Sequence, residues 1–123
     1  MMLRVLALGS MVLAMGYSLA RAEPPDILKV NVTPSDEAYS FSVTIAHPDT
    51  GWDHYADAFQ VYSPEGEMLG ERVLLHPHED EQPFTRSLTG VIIPEGIISV
   101  EIRARDNLGE FSEENPVVPL PGR

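Results

Sequence analysis

Cysteine is absent from this 123-residue chain. No disulfide can staple the fold, no thiolate can ligate a metal, and no lipidated N-terminal cysteine can anchor the protein. Basic residues are scarce, with 8 Lys and Arg against 19 Asp and Glu and a formal charge of −11. Affinity for nucleic acid and for anionic membrane surfaces rests on clustered Lys and Arg. Neither is therefore an expected partner, whereas cationic ligands and basic partners remain open, as does plain solubility. No stretch keeps a helical period. There is no Ser or Cys nucleophile motif, no phosphate-cradling Gly loop and no HExxH pattern. No enzyme is expected and no catalytic residue is assigned.

The N-terminus reads as an export signal. Arg4 supplies the positive region, Val5–Leu8 and Met11–Met15 the apolar region, and Ala20-Arg21-Ala22 a small-x-small cleavage site. The apolar run is broken by Gly9, Ser10 and Gly16, too short for a spanning helix of roughly 20 residues. Cleavage near Ala22 leaves residues 23–123 as one domain with a modest core, soluble in the periplasm or secreted. Arg4 and Arg21 leave with the signal, so the mature chain is more acidic than the precursor.

Alternation of β-branched and aromatic residues, with turn signals between, marks the strands. Expected strands are Ile27–Thr33, Tyr39–Ala46, Ala56–Tyr62, Met68–Leu75, Arg86–Ile93 and Ile97–Arg105, with a short edge strand within 116–120, where Pro116, Pro119 and Pro121 exclude a central one. Tyr39, Phe41, Val43 and Ile45 share one face, and Ile98, Val100, Ile102 and Ala104 another. Ser63-Pro64-Glu65-Gly66 joins a hairpin. Six to seven short strands predict an all-β antiparallel sandwich. Val100–Ser112, an alternating strand ending in Arg-Ala before a polar Gly-containing turn, resembles the last hairpin of fibronectin type III and related immunoglobulin-like domains, which implies an immunoglobulin-like sandwich.

Two loops carry the chemistry-bearing residues. His47–Asp57 holds His47, Asp53, His54 and the single tryptophan, Trp52; His76–Arg86 holds His76, His78, Glu79, Glu81 and Arg86. Imidazole with carboxylate suits Zn²⁺, Cu²⁺ or Ni²⁺. His76 and His78, two residues apart in extended chain, point to one side. The Ala56–Leu75 hairpin brings its own ends together, which predicts that the two loops meet. One ion then takes His76 and His78, with His47 or His54 and one of Asp53, Glu79 or Glu81 completing the shell. Trp52 and Tyr55 are expected to fold over the core edge, although Trp52 is also a candidate partner contact. Phe84 should re-enter the core, and Arg86 should pair with a loop acid or bind an anionic ligand.

His47-Pro48 and His54-Tyr55 before a hairpin with Gly66 and Gly70 resemble the His-Pro…His-Tyr stretch of superoxide reductases. That family holds iron with histidines and a cysteine thiolate, and this chain lacks the thiolate. Gly51–Asp57, His76-Pro77-His78 and Glu81–Ser87 are similar to a family of small exported bacterial proteins, a resemblance that implies export and no activity. The expected function is a non-catalytic exported binding or accessory domain with a divalent metal as ligand. The alternatives are a structural or protein-interaction module and a degenerate superoxide-reductase-like domain.

Overall fold

Tyr39, Phe41, Val43 and Ile45 are all buried, and the residues between them are not. That alternation makes β2 (Ala38–Ala46) the middle strand of a three-stranded sheet, between β1 (Asp26–Ser35) and β5 (Phe84–Val91). A second sheet has the order β4 (Met68–Val73), β3 (Ala56–Tyr62), β6 (Ser99–Asp106), β7 (Val117–Pro119). Every pairing is antiparallel. The described residues form an all-β sandwich of seven strands. This computed structural model describes residues 23–123, so the export signal expected over residues 1–22 lies outside the described residues. No helix among the described residues is long and apolar enough to cross a membrane.

The core lies between the sheets. Phe41, Phe59, Phe84, Ile45 and Ile102 are its largest fully buried side chains. Each such side chain contributes about 1.5–3 kcal/mol through removal of apolar surface from water. β3 is buried on both faces over Phe59, Gln60 and Val61 because it is flanked by strands on both sides and covered by the other sheet.

Three strands, β4, β5 and β6, depart from expectation at their ends. β4 stops at Val73, where the Leu74 amide turns to the Asp57 carbonyl (2.7 Å) and Leu75 is thrown into solvent. β5 begins at Phe84, which enters the core opposite Ile45, and ends at Val91, just past Gly90 at φ 68° and a register shift against β2. β6 begins at Ser99, and Ile98, expected on the inward face, is exposed.

Inward alternation does not stop where hydrophobicity stops. In β2 the inward series Phe41, Val43, Ile45 continues to His47; in β6 the series Val100, Ile102, Ala104 continues to Asp106. These strands belong to different sheets. Ala56 pairs with Asp106, so both series end beside the loop that joins β2 to β3. Two polar side chains are thereby delivered to one end of the core, one from each sheet.

Candidate metal centre

His47 is held from two sides. Its backbone N–H donates to Gln82 Oε1 (2.9 Å), and its ring Nδ1 meets Asp49 Oδ1 at 2.5 Å. The Asp49 side chain is fully buried. Its Oδ1 also accepts the Ala56 N–H (3.0 Å), and its Oδ2 accepts the His78 N–H (2.8 Å). A carboxylate oxygen at Nδ1 orients the ring and makes Nδ1 the N–H of the neutral imidazole. Nε2 is left with its lone pair facing away from Asp49.

His54 sits in a tight turn on the same loop. Its N–H donates to the Gly51 carbonyl (3.2 Å), and its own carbonyl accepts the Thr50 N–H (3.0 Å). Gly51, at φ 123°, supplies backbone geometry that a residue with Cβ adopts only under strain. Asn107 fastens the loop to the end of β6: its Oδ1 accepts the Tyr55 N–H, and its Nδ2 donates to the carbonyls of Trp52 and Asp53. Asp106, fully buried, accepts the N–H groups of Leu108 and Glu110 on Oδ1 (3.0 Å each), which leaves Oδ2 for the site.

The three free atoms converge. His47 Nε2 lies 3.2 Å from His54 Nε2, His54 Nε2 lies 2.9 Å from Asp106 Oδ2, and His47 Nε2 lies 3.8 Å from Asp106 Oδ2. A tetrahedral ion bound at about 2.0–2.2 Å separates its ligand atoms by about 3.3–3.6 Å, so the triangle has the size of a metal face. His47, His54 and Asp106 are the group of three potential ligands found among the described residues. Protons alone serve this arrangement less well. One Nε2–H on His54 faces both a carboxylate oxygen and a second imidazole nitrogen, and it makes one good hydrogen bond. Two buried carboxylates, Asp49 and Asp106, have histidines as their ion-pair partners. A cation between the two carboxylates would offset their buried charge.

The other residues singled out in the sequence take different places. The two loops do meet, through the bond from the His78 amide to Asp49 and through Gln82, whose Oε1 accepts the His47 N–H (2.9 Å) while its Nε2 holds its own loop at the His78 carbonyl (3.0 Å). His76 and His78 stay together, ring centroids 4.7 Å apart, but neither belongs to the three-ligand group. His76 is exposed, with Nδ1 on the Pro77 carbonyl. His78 is buried against Phe84, stacked at 4.0 Å, and both its ring nitrogens lack a hydrogen-bond partner. Its pKa is lowered by burial first, then by Arg86 and His76, against the opposing influence of Glu81 and Asp49. Asp53 and Glu79 are exposed, and Glu81 is paired with Arg86 (3.0 Å) as expected. Asp57 pairs with Arg105 across the second sheet (3.0 Å).

The expectation that Trp52 closes over the core is overturned. It is 66% exposed and meets Tyr55 edge-on at 5.6 Å. His47 and Asp49 fill that end of the core instead, and Asn107 holds the Trp52 backbone at the surface. Asp106 is the site residue that loop-by-loop reading missed. Its signal was the period-two register of β6, carried one step past Ala104.

The chain is similar to a protein of Halomicrobium mukohataei named "Putative lipoprotein", with 44% identity over 81 residues. The match covers 66% of this chain and 39% of that protein, so the chain spans well under half of its relative's length. No family model matches the chain, and no solved structure matches it.

Proposed function

We propose that this protein is an exported, non-catalytic accessory domain that binds one divalent transition metal ion through His47 Nε2, His54 Nε2 and Asp106 Oδ2. The observation that carries the reading is the convergence of those three atoms within 3.8 Å of one another, two of the side chains fully buried. Borderline nitrogen donors with one carboxylate suit Zn²⁺, Cu²⁺ or Ni²⁺ over Ca²⁺ or Mg²⁺, which prefer oxygen shells. Asp49 supports the set as an outer partner of His47. Export is supported by the leader-like N-terminus and by the name of the Halomicrobium relative. The division of strands into three and four supports the fibronectin type III-like reading of the sandwich. The absence of cysteine from the sequence removes the thiolate that superoxide reductase chemistry uses.

The test is titration of the purified protein with Zn²⁺, Cu²⁺ and Ni²⁺. Trp52, the single tryptophan, lies two residues from His54, so its fluorescence reports Cu²⁺ directly. We expect dissociation constants below about 0.1 mM, a loss of at least about 100-fold in His47→Ala and in His54→Ala, and a change under about threefold in His76→Ala. Acid should displace the metal, because imidazole ligates only through an unprotonated nitrogen. Equal weakening by His76→Ala and His54→Ala would return the site to the His76–Glu81 loop. Absence of binding for all three ions would end the metal reading.

One observation favours a second reading, a protein-interaction module: the exposed Trp52, on the surface of the loop that carries His54. In that case a partner copurifies, Trp52→Ala abolishes its retention, and metal has no effect.

A further inference from the structure

The triangle of His47, His54 and Asp106 supplies three ligand atoms. Zn²⁺, Co²⁺ and their neighbours take at least four. Residues 1–22, outside the described part, contain no His, Cys, Asp or Glu. All side chains of those types therefore fall within residues 23–123, where the converging group numbers three. Among the described residues the converging side chains thus leave one coordination position open.

The walls of the site differ in access. The side chains of His47 and Asp106 are 0% exposed, whereas that of His54 is 14% exposed. An incoming ligand therefore arrives along His54.

Charge decides what it is. Asp106 places one negative charge on the ion, and Asp49 places a second one behind it through the His47 Nδ1 contact. With both imidazoles neutral, a dication is balanced. An anion in the fourth position leaves a net negative charge in a buried, weakly screened setting. The whole chain, at −11, adds to the repulsion. A neutral donor preserves the balance. Among neutral donors, nitrogen matches the borderline softness of these ions better than oxygen does.

We infer that the ion at His47, His54 and Asp106 keeps one exchangeable coordination position that selects a neutral nitrogen donor, imidazole-like in chemistry, over a small anion. The inference rests on the metal reading above and specifies the ligand class of that same site. Binding there exchanges a water for the nitrogen lone pair, with no proton or electron transferred.

The experiment loads the purified protein with Co²⁺, whose visible absorption reports coordination, and titrates the loaded protein with imidazole and, separately, with azide. Retained cobalt is measured by dialysis at each end point. We expect a saturable spectral change with imidazole while cobalt stays bound, and an azide affinity at least about tenfold weaker. A closed site gives an unchanged spectrum with both probes, and that overturns the inference while the metal reading stands. Azide binding as tightly as imidazole, or cobalt stripped by imidazole without an intermediate spectrum, overturns it as well. Failure of Co²⁺, Zn²⁺, Cu²⁺ and Ni²⁺ to bind at all removes both readings together.

Discussion

His78 carries a burial penalty that its neighbours do not relieve. Both ring nitrogens are buried without hydrogen-bond partners, and the ring is stacked on Phe84. Because its folded pKa is lowered, chiefly by burial, the unfolded chain takes up a proton first as pH falls. The stability this group contributes is complete above its ordinary value of 6.5 and is lost as pH falls from there through the folded pKa. Replacing His78 by Phe keeps the stack and removes the unpartnered nitrogens. We expect His78→Phe to be about 1 kcal/mol more stable at pH 7.5 and to lose less stability than the wild type between pH 7 and pH 5. Urea midpoints at several pH values measure both. Parallel loss in the two proteins would refute the burial argument. Asp49 offers a second prediction at this scale. It touches no ion, yet it orients His47 and ties down the His78 loop. Asp49→Asn should weaken metal binding by about 10–100-fold with all three ligands present, measured by competition against a chromophoric chelator.

Strands were legible in proportion to how cleanly they alternate. β2 and β6 alternate along nearly their whole length, and their inward residues were read correctly except Ile98. Val73-Leu74-Leu75 is a continuous apolar run, so nothing local marks where β4 leaves its neighbour; a tertiary bond from Leu74 to Asp57 decides it. The meeting of the two loops followed from the hairpin geometry, but the choice of ligands did not. Asp106 stands fifty-two or more positions from either ligand histidine, and it looks like a turn residue until β6 is given its register. His76 and His78 form a compact motif, yet compactness in sequence says nothing about which nitrogens converge. The close approach of β4 to β5 gives a prediction at this scale. A Cβ on Gly70 would lie 3.1 Å from Leu88 Cδ2 and 3.3 Å from Val91 Cγ2. Leu88 can turn aside, whereas Val91 is β-branched and buried and cannot. Gly70→Ala should therefore destabilise by about 1 kcal/mol, and Gly70→Val by about 2–3 kcal/mol, read as denaturant midpoints at constant slope.

At the scale of the whole molecule, the metal centre spans the sandwich. His47 continues β2 of the three-stranded sheet, Asp106 ends β6 of the four-stranded sheet, and His54 lies on the connection between them. A chain without cysteine has no disulfide to join its sheets; an ion held by residues from both sheets would join them at this end. Only the folded chain presents the three atoms within 3.8 Å, so the ion should bind the native state in preference to the unfolded one. Linkage then sets the size of the effect: at about one hundred times the dissociation constant, stabilisation is about 2.7 kcal/mol, which in a domain of this length moves the melting temperature by roughly 8–15 °C. We expect that rise for Zn²⁺ with the wild type and none with His47→Ala at the same concentration. Amide hydrogen exchange localises the effect, with added protection at the ends of both β2 and β6 if the ion joins the sheets. Protection gained in the His47–Tyr55 loop alone would mean that the ion orders the loop and leaves the sheets independent. An unchanged melting temperature with zinc demonstrably bound would mean that the unfolded chain holds the ion equally well, and the inter-sheet role would fall.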